Sequence, residues 1–494
     1  MQYPLELPVI VLLLLIVKRR AARWFSRLLV LALGLLLLLR LADLGSFLAF
    51  NRRFNPLLEI HLLADGWNLA STAIGPLEAA LVVLLMLAVL GLLAGLLYRG
   101  LVTISQSGGK TRSTLLALAL TSLITTAPFV LFTSGKNKAD SVVNAQVLPE
   151  FRQRITSLHQ SIQDQQTFID ELRNDSVLDV AQPAFKALQG RDVILVFVES
   201  YGRGYLDAER FAAGARQRLT HTQDTLTAAG LKSRSSWLSS PVRGGRSWLA
   251  QATLQSGLEI DNQARFDRLV STDRVSISGL FQQAGWHTIG VMPAIQLAWP
   301  EGAWYRYESL HASTDMGFAG ERFGYVTMPD QYTLSHFEHA LRDESEQPVM
   351  ATLALLSTHA PWTPLPKKVD WDSIGDGSIY DGSHRFGEPI SWKYREEVQD
   401  MYALSFDYTL DVLGEYAARF ADDALIIVVG DHQPPPIING WGKSADVPVH
   451  FISRDQALLD RLPDSLWSDG MIPGDDIVSQ PMSTLRRSVS TLFE

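Results

Sequence analysis

Three apolar runs of this 494-residue chain lead straight into side chains that can bind a cation or move a proton. DVILVFV at 192–198 runs into Glu199-Ser200, VMATLALL at 349–356 into Ser357-Thr358-His359-Ala360-Pro361-Trp362, and ALIIVV at 424–429 into Gly430-Asp431-His432. Carboxylate and imidazole are ligands for divalent cations of hard or borderline character, and neighbouring parallel strands bring such ends together. Each residue alone has a plain structural use, since an Asp after a strand caps a turn and a lone His sits satisfied in a core. An apolar strand that delivers Asp and His consecutively has few structural uses for both.

A nucleophile is the remaining requirement. Residues 235–257 (SSWLSSPVRGGRSWLAQATLQSG) are rich in Ser, Gly and Arg and precede a helical apolar pattern at Leu249, Ala252 and Leu254. Ser247 follows two glycines and Arg246 at the expected start of that helix, where backbone N–H groups and positive charge favour a phosphate or sulfate. The same serine also fits an ordinary N-cap.

The elements that must hold these residues follow from the hydrophobic pattern. Short apolar runs without alternation (192–198, 287–292, 349–356, 424–429), separated by helical stretches such as 276–285 and 404–420, predict an α/β domain. Its sheet is mostly parallel and covered by helices on both faces, with ligands bound beyond the carboxyl ends of the strands. This domain takes in residues 188–494. Ahead of it, residues 136–187 form a polar connector in which Phe151, Ile155, Leu158, Ile162, Ile169 and Leu172 recur at steps of three and four, predicting an amphipathic helix.

Residues 1–135 are different in kind. Positions 1–133 carry 11 basic and 5 acidic side chains, and the remainder 32 and 47, so the overall net charge of −9 describes neither part. The uncharged run 79–98 matches the roughly 30 Å hydrocarbon thickness of a bilayer. Residues 114–133 make a second span, 28–50 a third that contains Arg40 and Asp43, and 4–17 a shorter first one. Lys18, Arg19, Arg20 and Arg23 follow the N-terminal apolar run instead of preceding it, which argues for a retained helix over a cleaved signal. With the basic 18–27 and 99–113 loops in the cytoplasm, four spans put both termini outside. A fifth span over the amphipathic 51–70 segment would put the N-terminus inside. Arg40 and Asp43 share a helical face, as a snorkelling pair or as a polar contact to a head group or another helix. The acidic balance argues against a nucleic-acid partner. With no cysteine, a disulfide framework, thiolate metal ligands and a cysteine nucleophile are excluded.

The order VFVES, GGRS, STHAPW, VVGDH behind a multi-span N-terminal region resembles the sulfatase-like branch of the alkaline phosphatase superfamily. Within that branch it is similar to the membrane-anchored lipoteichoic-acid synthase and phosphoglycerol transferase group. The resemblance implies one divalent metal ion, manganese first and magnesium or zinc as alternatives, held by Glu199, Ser247, Asp431 and His432. It implies Ser247 as nucleophile with the basic Arg246 before it, His359 near the substrate phosphate, and Trp304 and Arg306 holding the head group. The sequence departs from the family at Ser247, where Thr is usual, and at Ala250, where an acidic residue often stands.

The function implied is transfer of a phosphoglycerol-type head group from a membrane phospholipid to an envelope glycan or polymer through a covalent Ser247 intermediate. It is expected at the inner (plasma) membrane of a bacterium, with the catalytic domain periplasmic or extracellular. A sulfatase or phosphodiesterase-type hydrolase on the same scaffold is the alternative, and Ser239-Ser240-Pro241-Val242-Arg243 matches a loose form of the sulfatase signature. A non-catalytic envelope scaffold is the third reading, weakened by the presence of Glu199, Ser247, Asp431 and His432 together.

Overall fold

The computed structural model describes the chain apart from residues 1, 2, 5, 51–53, 57–65, 68–70, 72–74, 134–142, 145, 146, 176, 179–182, 323–325, 363–366, 383–393, 441 and 443. Two compact units result, one formed by residues 1–47 and 52–164 and the other by residues 48–51 and 165–494.

In the first unit the helices are α1 (Glu6–Ile16), α2 (Arg19–Phe50), α3 (Pro76–Gln106) and α4 (Gly109–Thr133), followed by α5 (Val147–Arg173), which runs on into the second unit. Among the described residues two stretches, Arg19–Ser46 and Pro76–Gln106, are long and apolar enough to cross a membrane. On α3 the side chains of Leu81, Leu84, Leu85 and Leu92 are exposed, which suits a lipid surround and not water. The 11 residues of α1 fall short of a bilayer's thickness. Most of the 51–70 segment, and with it the question of a fifth span, lies outside the described residues.

Arg40 and Asp43 both meet side chains of α5. Arg154 of α5 hydrogen-bonds the Asp43 carboxylate, donates to the Phe54 carbonyl at 3.1 Å and faces Glu150 at 3.4 Å, while Arg40 lies 3.9 Å from Glu150.

The second unit is built on a nine-stranded sheet. Its strands are β1 (Val193–Val198), β2 (Lys232–Ser239), β3 (His287–Met292), β4 (Ser309–Ala312), β5 (Val349–Leu355), β6 (Leu425–Gly430), β7 (Asp446–Ser453), β8 (Ser468–Asp469) and β9 (Gln480–Pro481). The order is β8-β2-β7-β6-β1-β5-β3-β4, with β9 paired to β2. From β6 through β1, β5 and β3 to β4 all neighbours are parallel; β7 joins antiparallel to both β6 and β2. Val193, Leu195 and Phe197 point into one apolar layer and Ile194, Val196 and Val198 into the other, so β1 is buried on both faces. The first layer packs α7 (Ser247–Ser256) and the second packs α6 (Ala212–Ala228) and α10 (Arg395–Phe420); α8 (Ile277–Gln283) and α9 (Asp330–His336) lie between α7 and α10 in sequence. This two-sided burial explains why the four central strands read as unbroken apolar runs.

Candidate metal centre and active site

β1 and β6 lie side by side in parallel, with Val198 in register with Gly430. Their carboxyl ends therefore release Glu199 and Asp431 at the same edge. The approach is close enough that a Cβ on Gly430 would meet the Tyr201 carbonyl oxygen at 1.9 Å, so only glycine fits there. Asp431 then accepts from the backbone N–H of Ser200 at 2.7 Å and of His432 at 2.6 Å through one oxygen, leaving the other turned to the centre.

Ser247 arrives from the opposite side. Gly244 and Gly245 have φ of 67° and 110°, Arg246 follows in the left-handed region at φ 68°, and α7 begins at Ser247. A left-handed arginine costs about 1 kcal/mol or more, and such strain clusters at functional sites. Its effect here is to turn the chain so that Ser247 Oγ donates to Glu199 Oε2 at 2.9 Å and sits 3.3 Å from His432 Nε2.

His432 is oriented by its other nitrogen. Nδ1 lies 2.9 Å from the Gln433 carbonyl, to which it donates, so Nε2 carries the lone pair and faces Glu199 Oε1 at 3.4 Å and Asp431 Oδ2 at 3.7 Å. Glu199, Asp431 and His432 are all buried, and each offers a ligand atom within 4.8 Å of the others. Burial works against ionisation of Glu199, but His432 and His359, with hydrogen bonds from Ser200 and Ser247, bring its carboxyl down to about 2. Burial first, and then the neighbouring Glu199 charge, push Asp431 well above the usual carboxylate range. Two buried carboxylates in mutual opposition, a fixed imidazole lone pair and a serine hydroxyl form a donor set that fits one divalent cation.

The centre forms one end of a cavity of about 320 Å³. Arg246, Ser247 and His359 line it beside Glu199 and Asp431; Trp248, Met292, Ile295, Trp299 and Leu356 form its apolar walls, and Gln251 adds a neutral polar group. The guanidinium of Arg246 is buried. His359 is positioned by the turn after β5, where its N–H donates to the Leu356 carbonyl at 2.8 Å.

Glu199, Ser247, His359, Asp431, His432 and Arg246 are thus brought together around one space. Trp304 and Arg306 are not among the residues that line this cavity. The 3-10 turn Pro300–Tyr305 rolls Trp304 into the apolar layer beneath the sheet, edge-on to Tyr305. Arg306 adopts φ 60°, and its side chain passes over Gly279, where a Cβ would lie 2.9 Å from its Cδ. Trp299, seven residues before Arg306, takes the wall position instead. Ser239 and Ser240 also stay out of the cavity, and the Ser240 hydroxyl donates to the Asp431 carbonyl at 2.6 Å.

No family model matches the chain, and no curated protein matches it. Among solved structures the chain is similar to the lipoteichoic acid synthase LtaP from Listeria monocytogenes, at 13% identity and TM-score 0.40 over 58% of this chain and 70% of that one. It is also similar to the integral membrane lipooligosaccharide phosphoethanolamine transferase EptA from Neisseria meningitidis, at 13% identity and TM-score 0.46 over 93% and 83%. A third likeness is to the C-terminal periplasmic domain of EptC from Escherichia coli in complex with Zn, at 14% identity and TM-score 0.40 over 65% and 84%.

Proposed function

We propose that the chain is a metal-dependent, membrane-anchored transferase. It moves a phosphoglycerol-type or related phospho-alcohol head group from a phospholipid to a glycan or polymer of the cell envelope. The observation that carries this reading is the convergence of Ser247 Oγ with Glu199, Asp431 and His432 at one end of a cavity that Arg246 and His359 also line. The apolar helices of the first unit support membrane attachment, and the basic residues of 18–27 and 99–113, which the structure carries on the ends of α2, α3 and α4 apart from Lys18, support a multi-pass anchor in the plasma membrane with the second unit outside.

Glu199, Asp431, His432 and Ser247 would hold the cation. When bound, a divalent ion, manganese first with zinc or magnesium as alternatives, polarises the serine oxygen and neutralises phosphate charge. Ser247 Oγ attacks phosphorus in line, forming the Ser–O–P bond as the bond to the diacylglycerol oxygen breaks. Glu199 Oε2, which accepts the Ser247 hydroxyl hydrogen at 2.9 Å, orients the nucleophile, and the serine proton leaves to solvent. His359 donates a proton to the departing alkoxide, and Arg246 counters the phosphoryl charge. In the second half His359 removes the proton of the acceptor hydroxyl, the new acceptor–O–P bond forms as the Ser247–O–P bond breaks, and the Ser247 oxygen takes a proton back from solvent. Attachment to the membrane raises the local concentration of a lipid donor.

The test incubates the full-length protein with Mn²⁺ and labelled phosphatidylglycerol and examines the protein by mass spectrometry. A head-group phosphoryl adduct on Ser247, absent in Ser247→Ala, is expected. Modification at Ser239, or none with any metal, overturns the reading. Release of free phosphoglycerol at the same rate with and without glycan acceptor would make the protein a hydrolase.

A further inference from the structure

Asp330, the first residue of α9, is fully buried, and the hydrogen bonds to its carboxylate come from neutral groups. One oxygen accepts from the backbone N–H of Leu356 at 2.8 Å and of Ser357 at 3.0 Å; the other accepts from Thr409 Oγ1 of α10 at 2.7 Å. Its own N–H donates to Ser357 Oγ at 3.1 Å. Burial raises its carboxyl above the usual range, so this placement is costly and is tolerated only where the surroundings satisfy it.

What it satisfies is the turn that leaves β5. The turn closes when His359 N–H donates to Leu356 O, and from it Thr358 Oγ1 donates to the Glu199 carbonyl at 2.5 Å. Glu199 N–H in turn donates to Leu355 O at 3.3 Å. Four consecutive residues, two of them anchored to Asp330, thereby connect to a metal ligand and to the cavity histidine.

We propose that Asp330 is a positioning residue: its buried carboxylate fixes the Leu356–His359 turn, and through that turn the place of His359 and the main chain of Glu199. The proposal rests on the reading of Ser247 and its neighbours as the reaction centre.

Full-length wild type, Asp330→Ala and Asp330→Asn are compared for Mn²⁺ affinity by calorimetry, for kcat and KM on phosphatidylglycerol, and for thermal midpoint. The asparagine oxygen still accepts both turn N–H groups while its amide faces Thr409, whose hydroxyl rotates to accept. Expected for Asp330→Ala is Mn²⁺ affinity weaker by about tenfold and kcat lower by about 100-fold with little change in KM, and for Asp330→Asn near-complete rescue. Folded Asp330→Ala with wild-type Mn²⁺ affinity and kcat overturns the proposal, as do losses that only follow the unfolded fraction. Should Asp330→Ala not fold, Thr358→Val decides, since it removes only the bond to Glu199. Weakened Mn²⁺ affinity at an unchanged melting midpoint supports the proposal, and unchanged affinity overturns it. Wild type that binds Mn²⁺ but never modifies Ser247 would sink the transferase reading while the affinity comparison still tests Asp330.

Discussion

His450 shows how a residue behind the site bears on stability. It is fully buried, with Nε2 2.9 Å from the Tyr201 hydroxyl and Nδ1 2.6 Å from Ser235 Oγ, and burial pushes its pKa down to about 3. The folded state therefore holds it neutral, whereas the unfolded chain takes up a proton below about pH 6.5. Protons bound only by the unfolded state lower stability as pH falls, by up to about 1.4 kcal/mol per pH unit for one group. Urea unfolding of the second unit's core between pH 7 and pH 4 is expected to show this slope, reduced by about one proton in His450→Gln. An unchanged slope would contradict the assignment. His432 obeys a different constraint: with Nδ1 committed to Gln433, His432→Ala removes one fixed ligand, and Mn²⁺ affinity measured by calorimetry should fall by at least about tenfold.

At the level of the elements, the Gly430 contact makes a sharp prediction. Gly430→Ala places a methyl against the Tyr201 carbonyl, and neither backbone can retreat without separating β6 from the segment carrying Glu199. A loss of about 3 kcal/mol in chemical denaturation, together with weakened metal binding, is expected. β1, β3, β5 and β6 were legible in the sequence because strands buried on both faces must be apolar throughout, and Glu199, His359, Asp431 and His432 stood out because they follow those runs directly. β2 (KSRSSWLS) was not. Its Ser236 hydroxyl donates to Leu466 O, Ser233 donates to Gln223, and Arg234 binds Asp464 and the Trp467 carbonyl, so distant partners make a polar segment fit the interior. Local pattern carries no trace of such partners. The course of the Pro300–Tyr305 turn is equally illegible in the local pattern: it sends Trp304 into the core and Arg306 across Gly279.

For the whole molecule, the anchor makes its own prediction. Arg154 meets Asp43, Glu150 and the Phe54 carbonyl with all three charged side chains largely buried, so deleting one partner leaves another charge stranded. A double-mutant cycle on Asp43→Ala and Arg154→Ala, read from unfolding in detergent, should give a coupling of about 1–3 kcal/mol, and zero coupling would reduce the pair to a surface contact. The proposed placement of the second unit outside the cytoplasm has a direct check, since a reporter fused after Glu494 should be active only there. The cavity walls carry a last consequence. Trp248, Met292, Ile295, Trp299 and Leu356 form an apolar side to the cavity that Ser247 enters. On the proposed transferase reading, a phosphorylated Ser247 facing these walls would persist until an acceptor large enough to displace solvent arrives. On the same proposed reading the balance between transfer and hydrolysis then depends on that hydrocarbon and indole surface, and Trp299→Ala should shift product toward free head group at constant total turnover.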